Sequence, residues 1–157
     1  MRIGIAADHR GFKKKQKLME YLEKKEHEAI NYGVNNNNSV DYPDYAFLVS
    51  EKINNQEIDI GILICGTGIG MCIAANKVPN IRCAKVDNIK EASLARSHNN
   101  VNIIALSSTM PLFKMKDIID VFLKTPFSNE ERHQRRIDKI NNYGNVNEYI
   151  GDNNNEY

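Results

Sequence analysis

"DIGILICGTGIGM", residues 59–71, decides how this chain folds. An apolar run from Ile60 to Cys65 stops at three glycines spaced two apart, Gly66, Gly68 and Gly70. A short apolar run with no polar alternation reads as a strand buried on both faces. The glycines read as a turn opening a helix that extends to about Lys77.

The same unit repeats outward in both directions. "RIGIAA", residues 2–7, predicts a strand, and Phe12, Leu18, Met19 and Leu22 predict an amphipathic helix from Phe12 to Lys25. "EAINYG", residues 28–33, predicts a second strand closed by Gly33. The polar, asparagine-rich "VNNNNSVDYPD", residues 34–44, follows as a loop, and Ala46, Val49 and Ile53 mark a helical face. Downstream, "IRCAKV" and "VNIIAL" predict strands over 81–86 and 101–106, each with a helix after it, Ile89 to His98 and Leu112 to Lys124. "PFSNEERHQRRIDKINNY", residues 126–143, reads as a turn and a last helix. Five strands each followed by a helix predict an α/β fold in three layers, a five-stranded parallel sheet covered on both faces, with a C-terminal helix. The expected organisation is one domain over 1–143 and a polar, mobile tail over 144–157. In such a sheet ligands bind beyond the carboxyl ends of the strands. Those ends carry Asp8 and His9, Cys65 to Gly70, Asp87, and Ser107 with Ser108.

The totals exclude several classes. With 21 Lys+Arg against 20 Asp+Glu the formal charge is +1, so no bulk field favours nucleic acid or a membrane surface. At 157 residues one domain buries roughly two-thirds of its unfolded surface without disulfides. The three cysteines, Cys65, Cys72 and Cys83, have no zinc-ligand spacing and read as free thiols in a reducing compartment. With no apolar stretch of spanning length and no leader-like segment, the expectation is a soluble cytoplasmic protein.

The glycine loop admits two readings: a tight turn without a ligand, or a cradle whose amides and following helix N-terminus take an anion. A dinucleotide fingerprint needs its third glycine at the sixth position, which is Met71 here, although Asp87 stands where a ribose-binding acid would. No Gly-Lys-Ser/Thr ends the loop, so it is not a Walker A motif. Cys65, at the strand end, is either a reactive thiol or an inert buried one. Cys72 and Cys83 fit the inert reading, being inside a helix and a strand. Asp8 and His9 are either a helix cap with a solvated neighbour or a pair facing Cys65 across the sheet edge. His98, at the end of its helix, is a surface histidine or a proton donor. Arg132 and Arg136 share one helical face and can clamp a phosphate, or form a solvated basic face, while Arg135 points elsewhere. Nucleic-acid binding through "RHQRR" is disfavoured by the balanced charge and the lack of aromatic stacking residues beside it.

"AADHRGF", "SVDYPDYA", "GILICGTGIGMCIAANKVPNIR", "LARSHNN" and "RHQRRIDKI", in that order from about residue 2 to residue 140, resemble the type B ribose-5-phosphate isomerases, a family that includes galactose-6-phosphate and allose-6-phosphate isomerases. The resemblance implies a Rossmann-like fold and an aldose-ketose isomerase of the pentose phosphate pathway working through a cis-enediolate. It implies no metal or cofactor, and homodimers or dimers of dimers whose active sites are shared across the interface. On the matching positions it implies Cys65 as the base that moves the proton, His98 as the ring-opening acid, and Thr67 as an aid to proton transfer. Substrate contacts implied are Asp8, His9, the anion loop Gly66, Thr67, Gly68, Ile69 and Gly70, the amide of Asn99, and the phosphate clamp Arg132 and Arg136. One position departs from the pattern. "ALSST" places Thr109 where the family commonly has a substrate-binding arginine. Alternatives that the sequence leaves open are the same chemistry on a six-carbon sugar phosphate and a catalytically silent sugar-phosphate binding subunit.

Overall fold

The buried run at Ile60–Cys65 becomes the third strand of the computed structural model, which describes residues 1–143. The elements in chain order are β1 Arg2–Ala7, α1 Phe12–Glu23, β2 Glu28–Asn31, α2 Tyr42–Asn54, β3 Ile60–Cys65, α3 Ile69–Ala75, β4 Cys83–Lys85, α4 Ile89–Asn99, β5 Ile103–Ser107, α5 Leu112–Lys124 and α6 Glu131–Asn142. The expected tail, 144–157, lies outside the described residues.

The described strands form one parallel sheet in the order β2-β1-β3-β5-β4. β3 is central and buried along its whole length, which is why its sequence shows no polar alternation. Its side chains divide between two cores. Ile60, Ile62 and Ile64 pack with Leu18 and Leu22 of α1, Ala92 of α4 and Met115, Ile118 and Phe122 of α5. Leu63 and Cys65 face the other way, with Ala46 and Val49 of α2 and Met71, Ala74 and Ala75 of α3. Each large side chain buried this way contributes roughly 1.5–3 kcal/mol.

Local chemistry sets the helix starts. Pro43 and Asp44 occupy the first turn of α2, where a missing N–H costs nothing and a carboxylate meets the positive helix end. At α4 the Asn88 side chain accepts the Glu91 amide at 3.0 Å, and the Glu91 carboxylate accepts the Asp87 amide at 2.7 Å.

Several elements are shorter than the sequence reading: α1 ends at Glu23 and β2 at Asn31, and β4 and α3 show why. β4 keeps three residues because side chains intercept its backbone: Asn102 Oδ1 accepts from Arg82 N and Asn76 Oδ1 from Cys83 N. α3 ends at Ala75 after seven residues, since the Lys77 and Val78 amides turn back to the Ala74 and Ala75 carbonyls. So short a helix carries little macrodipole, and the anion-binding capacity of the loop rests on its own amides.

Candidate active site

β1 and β3 are neighbours, with Ala7 opposite Ile64 and the Asp8 amide bonded to the Ile64 carbonyl at 3.0 Å. This places Asp8, His9 and Cys65 at one sheet edge, at the point where the strand order reverses. Asp8 is buried, and its Oδ1 accepts both the Arg10 and Gly11 amides, at 2.9 and 3.0 Å. The carboxylate thus holds the turn before α1; the N-cap itself is Gly11, without a side-chain bond. His9 Nδ1 is the one buried side-chain nitrogen or oxygen among the described residues with no hydrogen-bond partner. Burying an imidazole nitrogen unpaired costs free energy that a ligand hydroxyl would recover.

Cys65 is 4 % exposed, and the Gly68 amide donates to its Sγ at 3.2 Å. Gly68 adopts φ 81°, with the Leu106 carbonyl carbon only 3.1 Å from where a Cβ would stand. Only glycine makes that turn without strain, so the sequence that bends the loop also aims an N–H at the sulfur. The Thr67 hydroxyl accepts the Ile69 amide at 3.2 Å and does not bond Cys65. The amides of Gly66 and Thr67 donate to none of the described residues. They open onto a cavity of about 590 Å³ lined by Gly66, Thr67, Ile69, Ser107, Thr109 and Lys114 among others. Asp87, also on this wall, is paired with Lys85.

The remaining predicted residues lie elsewhere. α4 leaves the carboxyl end of β4 and runs back to the start of β5. Its eleven residues span about 16 Å, so His98 and Asn99 sit at the opposite, amino edge of the sheet. Arg82, just ahead of β4, confirms the location by donating to the Asn99 carbonyl at 3.0 Å. α6 docks at this end: Ser128 N bonds the Ser97 carbonyl, and the His133 ring stacks on His98 at 4.2 Å between centroids. Arg132 and Arg136 are exposed on α6. Arg132 donates to Glu130 at 2.7 Å, an exposed, solvent-screened pairing that a phosphate can displace. Within one chain the structure brings Asp8, His9, Cys65 and Gly66–Gly70 together, and holds His98, Asn99, Arg132 and Arg136 apart from them.

Residues 3–140 match the model of a family described as Ribose/Galactose Isomerase. The chain belongs to the ribose/galactose isomerase family. Probable ribose-5-phosphate isomerase B of Mycoplasma genitalium is 46% identical over 144 residues, covering 90% of this chain and 94% of the relative. The crystal structure of ribose-5-phosphate isomerase B from Mycoplasma genitalium with bound ribulose-5-phosphate is similar at a TM-score of 0.87 and 45% identity, covering 92% of this chain and 97% of the other. A ribose 5-phosphate isomerase from Thermotoga maritima gives a TM-score of 0.87 at 47% identity, covering 89% and 97%.

For a ribose/galactose isomerase family member, three residues near these groups escaped the sequence reading. Tyr42 packs its ring against Gly70, and a Cβ there would meet its hydroxyl at 2.6 Å. His133 orients His98, and the Arg10 side chain lies over Gly66. Tyr42 sits within the quoted "SVDYPDYA" and His133 within "RHQRR", but each meets its partner only through tertiary contact. A hydrogen bond with the Cys83 thiol, opposed by burial and assisted by the Lys85 backbone, brings Cys72 down to about 7, while Cys83 is pushed up. The Cys72 thiol itself donates to the Cys83 carbonyl at 3.3 Å.

Proposed function

We propose that the chain is an aldose-ketose isomerase that interconverts ribose 5-phosphate and ribulose 5-phosphate through a cis-enediolate. The observation that carries the reading is the pairing of Cys65 Sγ with the Gly68 amide beside a cavity whose loop amides are free. Isomerisation needs one base to move a proton between adjacent carbons and donors for the oxygen that gains charge. Cys65, as thiolate, takes the proton from C2 of the aldose and returns it to C1. The enediolate charge faces the Gly66 and Thr67 amides; O1 gains a proton as O2 gives one up, with the Thr67 hydroxyl as relay. Asp8 and His9 hold the sugar hydroxyls, and His9 Nδ1 gains the partner it lacks. The similarity to a relative described with bound ribulose-5-phosphate supports the five-carbon substrate.

His98 serves as the ring-opening acid, Asn99 as an amide contact, and Arg132 with Arg136 as the phosphate clamp. Since they lie at the far sheet edge in one chain, a second copy supplies them. Ile69 and Ile73, one turn apart on α3 and 53% and 59% exposed, give an apolar strip beside the loop on which that copy can seat.

Mixing two inactive variants tests both claims. Cys65→Ala and His98→Ala chains, each silent alone, should regain about a quarter of wild-type sites after co-refolding, since each mixed dimer keeps one intact site. No recovery, with dimers present by sedimentation, overturns the shared site. Thr109 favours a second reading, a six-carbon sugar phosphate, because it replaces a bulky cation with a small hydroxyl. Turnover on ribose 5-phosphate beside allose and galactose 6-phosphates decides between them.

A further inference from the structure

The wall of the cavity formed by β5 has no proton to offer an anion. Ser107 Oγ donates to the Gly66 carbonyl at 2.8 Å and lies 2.7 Å from Thr109 Oγ1. A serine hydroxyl has one proton. With that proton on Gly66, the Thr109 hydroxyl must donate to Ser107, leaving only lone pairs toward the cavity.

The nearby cations are mostly committed. Lys85 is paired with Asp87, and Lys14 donates to the carbonyls of Ser108 and Met110. Two remain, Lys114 on α5 and Arg10. The Arg10 amide is fixed to Asp8 Oδ1 at 2.9 Å, which sets where its side chain leaves the backbone. Its Cδ and Nη1 each lie 3.3 Å from the position of a Cβ on Gly66. The guanidinium thus lies close over the loop at Gly66. That guanidinium is exposed and makes no hydrogen bond or ion pair with any described residue.

We infer that Arg10 is a phosphate-binding residue of the site: its guanidinium lies over Gly66 and takes two phosphate oxygens of the substrate in a forked contact. The inference rests on the sugar-phosphate reading above. A planar guanidinium fork can hold two oxygens of a dianion at once, which a lysine on a mobile stem does not. Arg10 supplies from the β1 side the positive charge that position 109 does not supply from the β5 side.

The test compares Arg10→Ala with Lys114→Ala in the full chain, measuring steady-state kinetics on ribose 5-phosphate and calorimetric binding of inorganic phosphate. Arg10 is exposed, so the variant keeps its fold, checked by circular dichroism. Arg10→Ala should raise KM by roughly ten- to hundredfold, change kcat little, and weaken phosphate by the same factor; Lys114→Ala should have the smaller effect on both. Adding Thr109→Arg to Arg10→Ala should recover most of the phosphate affinity. Unchanged KM and phosphate binding in Arg10→Ala, a loss carried by Lys114→Ala instead, or no phosphate binding by the wild type each overturn the inference. A wild type that turns over no sugar phosphate but loses phosphate binding with Arg10 refutes the isomerase reading and leaves Arg10 as an anion contact.

Discussion

The imidazoles of His98 and His133 stack with their centroids 4.2 Å apart and their planes inclined by 34°. His133 is 3% exposed, with Nδ1 2.8 Å from the Ser128 hydroxyl. Burial first, and then the nearby His98, hold its imidazole below the usual histidine range. The unfolded chain therefore binds more protons than the folded one between that depressed value and about pH 6.5. Stability from this site is full above that window and falls as pH drops through it. A His133→Gln variant should show a flatter dependence of urea midpoint on pH below about 6.5. Its kcat should fall roughly tenfold with an altered pH profile, because His98 loses the ring that orients it. Parallel midpoint curves for the two proteins contradict this account.

At the other sheet edge, the Gly68 amide points at Cys65 Sγ from a left-handed residue that only glycine adopts without strain. Cys65→Ala removes the proposed base and should cost at least about 10²–10⁴ in kcat while leaving the melting temperature close to wild type. Gly68→Ala keeps the thiol but strains the turn against Leu106, and should lose roughly 1 kcal/mol or more of stability together with most of the turnover. Near-normal turnover in Cys65→Ala refutes the thiolate mechanism.

The sheet was legible because β3 and its neighbours announce themselves by apolar runs, and the glycines by their spacing. Alternation of strand and helix then brings Asp8, His9 and Cys65 to one edge by topology alone. Contacts formed by residues distant in sequence were not legible. Nothing in "ARSHNN" says that α6 will bring His133 onto His98, and nothing in "DHR" says that Arg10 will lie over Gly66. β4 reads as six residues because its apolar pattern is continuous. Its start is cut back by Asn102 and Asn76, whose side-chain oxygens take the Arg82 and Cys83 amides.

Tyr42 roofs Gly70, with its Cζ and hydroxyl 2.5–2.6 Å from where a side chain would begin. Gly70→Ala should therefore push the ring aside and cost roughly 1–3 kcal/mol of stability. The same change made in a Tyr42→Ala background should cost far less. A double-mutant cycle by thermal melting reads the coupling directly, and additive costs would show that the ring does not set the requirement for glycine.

Lys15 is fully buried on α1 and fastens the turn after β2, donating to Asn31 Oδ1 and, at 2.7 Å, to the Val34 carbonyl. That turn feeds the asparagine-rich loop and then Tyr42, so the bond reaches the site indirectly. Burial lowers Lys15 from its ordinary 10.5 to about 8. Between those values the unfolded chain holds a proton that the folded chain has released, so stability rises with pH across the window. Below about 8 both states are charged and the full desolvation penalty applies; above about 10.5 both are neutral and it is gone. The penalty is at most about 3 kcal/mol, since the two oxygen acceptors favour the ammonium and offset part of it. Lys15→Met removes the titration but leaves the buried Val34 carbonyl without its donor, at a cost of about 1–3 kcal/mol, while Asn31 Oδ1 keeps the Gly33 amide at 2.9 Å. The variant should be less stable than wild type at pH 9 and should lack the rise in urea midpoint that wild type shows from pH 8 to 10. An equal rise in both proteins would mean that Lys15 titrates with its ordinary value and that the two acceptors alone hold its charge.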